Sequence, residues 1–285
     1  MPFDYETLLN WKLDDVVQTY DFRDTILYAL GLGYGADPLD EDGLRFVYEE
    51  NLKTVPTMCV VLGHPGFWVK DPRTGVDWVK VLHGEQGFRI HKPLPPKGTV
   101  IGRTRVTDII DKGPGKGALI FSEKQVIDQA TGELLATTAS TTFARGDGGC
   151  GGPQKPQPQP HALPDRDPDG AIDIPTRPEA ALIYRLSGDY NPLHADPKVA
   201  RAAGFKAPIL HGLCTYGVAS RGLIATVCGG EPDRLTSMQA RFTSPVYPGE
   251  TIRIETWTDG GIVSFRASVV ERDVIVLNNG RAEIA

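Results

Sequence analysis

From Thr251 the chain alternates apolar and polar positions, Thr251-Ile252-Arg253-Ile254-Glu255-Thr256-Trp257, and it does so again over Val263-Ser264-Phe265-Arg266-Ala267-Ser268-Val269. A period of two sends successive side chains to opposite faces, which predicts strands with one buried face. Val100 to Phe143 reads the same way. Ahead of the later strands the pattern is helical. Thr176-Arg177-Pro178-Glu179 has the form of a capping box with proline in the first turn, predicting a helix toward Leu186. Asp196-Pro197 predicts a short helix that stops at Gly204. Leu213 to Ile224 is apolar and small-sided, as a buried helix would be. The expected class is α+β, a long antiparallel sheet around a buried helix.

Gly146-Asp147-Gly148-Gly149-Cys150-Gly151-Gly152, followed by the proline-rich Pro153 to Pro160, interrupts this pattern. Such a stretch builds no core; its start reads as flexible and its end as extended. It predicts a first domain over 1–145, a linker over 146–164 and a second domain over 165–285. The halves echo each other. Leu27-Tyr28-Ala29-Leu30-Gly31 matches Ile183-Tyr184-Arg185-Leu186-Ser187, and Asp37-Pro38-Leu39-Asp40 matches Asn191-Pro192-Leu193-His194. His91 to Pro96 matches Thr243 to Pro248. Three matches in one order point to duplication of a single fold.

Composition narrows the function. Thirty-six acidic against 30 basic residues give a net charge of −6 over 285 residues, which offers no surface for nucleic acid. Cys59, Cys150, Cys214 and Cys228 have no CxxC or metal-ligand spacing, so a reducing compartment is expected. The N-terminal residues lack a signal pattern, no apolar run is long enough to span a membrane, and the last residues match no targeting tripeptide; a cytoplasmic protein follows.

The densest chemistry lies at Tyr184-Arg185-Leu186-Ser187-Gly188-Asp189-Tyr190-Asn191-Pro192-Leu193-His194. Asn191-Pro192 forces a turn, which can bring the His194 imidazole back to the Asp189 carboxylate. A neutral imidazole beside a carboxylate can orient and activate water. Ala207-Pro208-Ile209-Leu210-His211-Gly212 follows, and a glycine in the first turn of a helix offers an unpaired N–H to an oxyanion. The same residues also suit an ordinary Asx turn with a histidine capping a carbonyl. Gly31-Leu32-Gly33-Tyr34-Gly35 has the wrong spacing and setting for a dinucleotide loop. His64, His91 and His161 stand isolated.

Tyr184-x-Leu186-Ser187-Gly188-Asp189-x-Asn191-Pro192-Leu193-His194 resembles the signature of the hydratase 2 branch of the MaoC-like enoyl-CoA hydratases. Phe205 to Gly217 resembles the same branch, as do Asp37-Pro38-Leu39, Leu44 to Glu49 and Leu82-His83-Gly84-Glu85-Gln86 in the first half. The resemblance implies two tandem hot-dog folds, each an antiparallel sheet wrapped around a central helix; Pro56-Thr57-Met58 would begin the helix of the first. It implies reversible hydration of trans-2-enoyl-CoA to (3R)-3-hydroxyacyl-CoA in fatty-acid β-oxidation, by a homodimer with no metal or other cofactor. By resemblance Asp189 and His194 are the catalytic pair, Gly212 the oxyanion-hole position, and Tyr190, Asn191 and Phe242 substrate contacts. Glu85 either reaches the site or braces the sheet. Lys206 and Arg241 are candidates for CoA phosphate or plain surface cations. The first half has no counterpart of the pair, and is expected to be scaffold and acyl-chain pocket. Alternatives are a hydratase or dehydratase for a branched, dicarboxylic or steroid side-chain acyl-CoA, a thioesterase, and a silent acyl-CoA-binding subunit.

Overall fold

The protein, seen in a computed structural model, is described over residues 2–285. The strands are β1 (Val16–Tyr20), β2 (Val81–Ile90), β3 (Gly98–Asp111), β4 (Ala118–Asp128) and β5 (Leu134–Ala144) in the first half, then β6 (Gly170–Pro175), β7 (Leu235–Phe242), β8 (Thr251–Asp259), β9 (Ile262–Val269) and β10 (Val274–Ile284); the alternating segments of the sequence are β3, β4, β5, β8 and β9. They form one antiparallel sheet in the order β1-β3-β4-β5-β2-β7-β10-β9-β8-β6. Counted from each outer edge, both halves have the order first, third, fourth, fifth, second strand. The duplication inferred from three short matches thus extends to topology. The halves join where β2 pairs with β7, Glu85 opposite Arg241 and Phe88 opposite Met238.

Helices α1 (Tyr5–Leu9), α2 (Phe22–Gly31), α3 (Glu41–Leu44), α4 (Ala180–Tyr184), α5 (Pro197–Ala202) and α6 (Gly212–Thr226) complete the fold. The apolar run expected from Leu213 is α6, buried from Cys214 to Ser220 and packed on β6, β7 and β8. Close approach on one face is set by Gly217, where an added Cβ would lie 2.4 Å from Leu32 of the first half. The repeated tyrosines meet: the Tyr28 and Tyr184 rings lie 5.7 Å apart where α2 packs on α4. Asp196 caps α5 by accepting the Lys198 N–H, and Gly204 at φ +88° follows the helix, as read from the sequence.

Three local expectations need correction. Thr176 does not cap a helix. Its hydroxyl donates to the Glu250 carbonyl and accepts the Gly249 N–H, tying β6 to the turn before β8, while α4 begins after Glu179 without a side-chain cap. The central helix of the first half is only a 3₁₀ turn, Pro56–Val60. The chain leaves it at Gly63, φ +57°, whose backbone passes so near Gly102 that neither has room for a Cβ. The freed carbonyls of Cys59, Val60 and Leu62 accept from the buried Lys124 ammonium at 3.1, 3.0 and 2.5 Å. Finally, the glycine-rich stretch is anchored. The buried Asp111 carboxylate accepts the Gly149 and Gly151 N–H groups, and Cys150 packs into a second core with Phe3, Leu8 and Ile109.

Candidate active site

Gly188 sits at φ +121°, a conformation that disfavours any side chain, and ends the 3₁₀ turn Arg185–Ser187 so that the chain swings out at Asp189. The Asp189 carboxylate then accepts the Asn191 N–H at 3.1 Å, and the Asn191 side-chain oxygen accepts the Leu193 N–H at 3.1 Å. Pro192 opens a second 3₁₀ turn that ends at His194. Two Asx-type bonds and a proline thus fold the turn, and they return a buried His194 toward an exposed Asp189. Ligand atoms of Asp189, His194 and His211 all lie within 4.8 Å of one another.

The segment entering α6 fixes the chemistry of this cluster. The Ile209 carbonyl lies 2.8 Å from His194 Nδ1. A carbonyl only accepts, so Nδ1 carries the hydrogen and Nε2 keeps a lone pair. Burial lowers the His194 pKa against the opposing pull of the Ile209 hydrogen bond and the Asp189 charge, which favours a neutral imidazole. Gly212 opens α6, so its N–H has no partner inside the helix, and the positive end of a 15-residue helix points there. Phe242, ending β7, packs on this glycine; a Cβ there would stand 3.3 Å from its ring.

The first half supplies the facing wall. The His83 ring lies 4.8 Å from that of Phe242. His64, beyond the shortened central turn, and His83 both feel the charge of Asp189. Each keeps exposed surface, yet the surrounding protein depresses each pKa to about 4, chiefly by desolvation. His64 is thus within electrostatic range of Asp189, although nothing in its own stretch of sequence marked it.

The other sequence-nominated residues are distributed as follows. Tyr190 is exposed with the Arg185 guanidinium over its ring at 5.1 Å. Asn191 is exposed, with its side-chain oxygen engaged by the Leu193 N–H within the turn. Glu85 accepts from Arg241 at 2.6 and 2.9 Å and from the Thr141 hydroxyl at 3.2 Å, which makes it a brace across the β2–β7 junction and leaves Arg241 engaged. The Lys206 ammonium lies over the Tyr247 ring. A hollow of about 530 Å³ between Phe22, Leu52 and Lys97 contains none of the clustered groups. Asp189, His194 and His211 are also poorly arranged for a metal ion. The two imidazoles stack at 3.7 Å with planes 27° apart, so their in-plane lone pairs do not converge on one point about 2 Å from both.

An acid, a neutral imidazole and a helix N-terminus gathered where two like halves face each other define a class, the double hot-dog dehydratases and hydratases. The solved MaoC-like dehydratase from Phytophthora capsici shares this fold, with a TM-score of 0.87 and 36% identity over 99% of this chain and 98% of that one. The MaoC like domain matches residues 160–280, and the MFE-2 hydratase 2 N-terminal domain matches 18–146. The chain is 44% identical to 3-hydroxyacyl-thioester dehydratase Y of Mycobacterium tuberculosis, over 92% of this chain and 91% of that protein. It is 38% identical to the peroxisomal enoyl-CoA hydratase 2 of Arabidopsis thaliana, over 96% and 94% respectively. The chain belongs to the MaoC-like hydratase 2 family and is a hydratase-type enzyme. Among the described residues, no helix is long and apolar enough to cross a membrane.

Proposed function

We propose that the protein reversibly hydrates trans-2-enoyl-CoA to (3R)-3-hydroxyacyl-CoA. The observation that carries this reading is the meeting of Asp189 and His194 at the open N-terminus of α6. The Gly212 N–H receives the thioester oxygen, draws electron density from the C2=C3 bond and makes C3 electrophilic. Water held between the Asp189 carboxylate and His194 Nε2 gives up a proton to the pair as its oxygen bonds to C3. The enolate oxygen rests on Gly212 until C2 takes a proton from the same pair on the same face, which restores the catalyst. Hydration moves no electrons between partners, so the reading requires no redox cofactor, and the Gly212 N–H takes the polarising role that a Lewis-acid metal could fill; CoA enters as part of the substrate.

In this reading the first half holds the acyl chain. Its central helix is cut to one 3₁₀ turn, and His64 and His83 lie within electrostatic range of Asp189. A homodimer in a reducing, cytoplasmic setting completes the picture, in keeping with four buried free cysteines. The test is incubation with trans-2-enoyl-CoA thioesters of increasing chain length, followed by chiral analysis of the product. Loss of the conjugated double bond without thiol release, giving the 3R alcohol, supports the reading. Release of free CoA, or a 3S product, overturns it. Strict preference for four-carbon chains would remove the acyl-pocket role of the first half.

A further inference from the structure

His211 takes no part in the steps above, yet it is the most enclosed polar group of the cluster, at 1% exposure. It is the N-cap residue of α6, but its side chain caps nothing in the helix. The ring turns back toward the catalytic turn, and Nε2 lies 3.2 Å from the Asp189 main-chain carbonyl. That carbonyl only accepts, so Nε2 carries the hydrogen and Nδ1, buried without any partner, keeps its lone pair. One face of the ring stacks on His194 at 3.7 Å, and Tyr184 lies 5.1 Å away.

We infer that His211 is a positioning residue, whose Nε2–H bond to the Asp189 carbonyl ties the catalytic turn to the oxyanion-hole helix. Gly188 gives the turn a glycine-only conformation and Asp189 is exposed, so local bonds alone leave the turn free to move as a unit. The segment 209–212 removes that freedom at two points and carries the oxyanion donor itself. The Ile209 carbonyl sets the His194 tautomer, His211 holds the Asp189 backbone, and Gly212 presents the N–H. Nucleophile-activating pair and oxyanion donor thereby keep one separation, on which rate depends steeply. The bond works with a neutral ring. A second proton on Nδ1 would be buried without an acceptor, beside His194 and within reach of Arg185, with Asp189 the single facing anion among the groups that act on it. Burial, then His194, depresses the His211 pKa to about 4, in accord with a ring that stays neutral.

The inference rests on the hydratase reading for its kinetic arm only. His211→Phe keeps a ring to stack and deletes the donor. His211→Gln places an amide N–H where Nε2–H was and deletes the stack. The expectation for His211→Phe is a kcat lower by about tenfold or more with KM within about threefold, and for His211→Gln a kcat within about threefold of the parent. Hydrogen exchange at residues 188–194 supplies the arm independent of turnover: faster in His211→Phe, near parental in His211→Gln. A His211→Phe enzyme with parental kcat and exchange overturns the inference, as does equal loss in both variants with KM rising in step. A parent protein that hydrates no enoyl thioester refutes the hydratase reading, and the exchange comparison then decides the role of His211 alone.

Discussion

Lys124→Met tests how the first half holds its shortened central turn. The ammonium is buried, faces three backbone carbonyls and has no carboxylate partner among its hydrogen bonds. Desolvation lowers its pKa from 10.5 to about 8. At about 1.4 kcal/mol per unit, burying the charged form costs about 3 kcal/mol more than burying the neutral amine. The unfolded chain binds the proton more tightly, so between these two pKa values it carries more protons than the native state. Stability from this group therefore rises with pH, and it is absent below about 8. The variant loses the donor to Cys59, Val60 and Leu62, and a buried acceptor without a partner costs on the order of 1–3 kcal/mol. Lys124→Met is thus less stable at neutral pH, and its deficit widens by about 3 kcal/mol between pH 8 and 10.5, with most of the change complete by about pH 10. Urea unfolding of both proteins at several pH values measures the deficit, and other alkaline titrations cancel in the difference. A deficit that stays constant with pH, or narrows, refutes the account of a buried, desolvated cation.

Other expectations concern the site. Gly212→Ala keeps the fold, because a Cβ 3.3 Å from Phe242 asks that partly buried ring to shift by tenths of an ångström, but hydration falls about a hundredfold as the oxyanion pocket is displaced; an unimpaired rate removes Gly212 from the mechanism. Because burial lowers the His194 pKa, the base stays neutral below pH 6.5, so the acid limb of kcat/KM falls on the acid side of that value, and a limb above it contradicts the assignment. Glu85→Gln breaks an ion pair with more than a third of each side chain exposed, worth below about 1 kcal/mol of stability. Yet Arg241 adjoins Phe242 and Glu85 lies two residues from His83, so kcat/KM drops by about tenfold; parallel, small losses of activity and stability would reduce the pair to a surface brace.

The catalytic turn was legible because its information is local. Glycine, Asx side chains and proline dictate a turn whatever surrounds it, and the sequence states all of them between Gly188 and Pro192. Strands β3, β4, β5, β8 and β9 were legible through their alternation, and α6 through its apolar length, whereas β1, β2, β6, β7 and β10 were not marked by a clean period of two. What failed was settled by distant partners. Thr176 had the residues of a capping box, but a turn some 70 residues away took its hydroxyl. The glycines after Arg145 looked flexible because Asp111, which organises them, lies a full β-hairpin earlier. His64 feels Asp189 only through packing across the two halves, and the carbonyls of the turn before it are held by Lys124 from another strand. Glu85 and Arg241 appeared separately in the sequence, and only the β2–β7 junction made them a pair.

The central claim is that Asp189 and His194 form the catalytic pair of an enoyl-CoA hydratase. Its most direct test is single-turnover hydration of a trans-2-enoyl-CoA by the parent, Asp189→Asn and His194→Ala, each shown to be folded by its thermal transition. The account predicts that both variants keep the parental fold and bind the thioester, while the rate of water addition falls by about a hundredfold or more. A near-parental rate in either folded variant contradicts it.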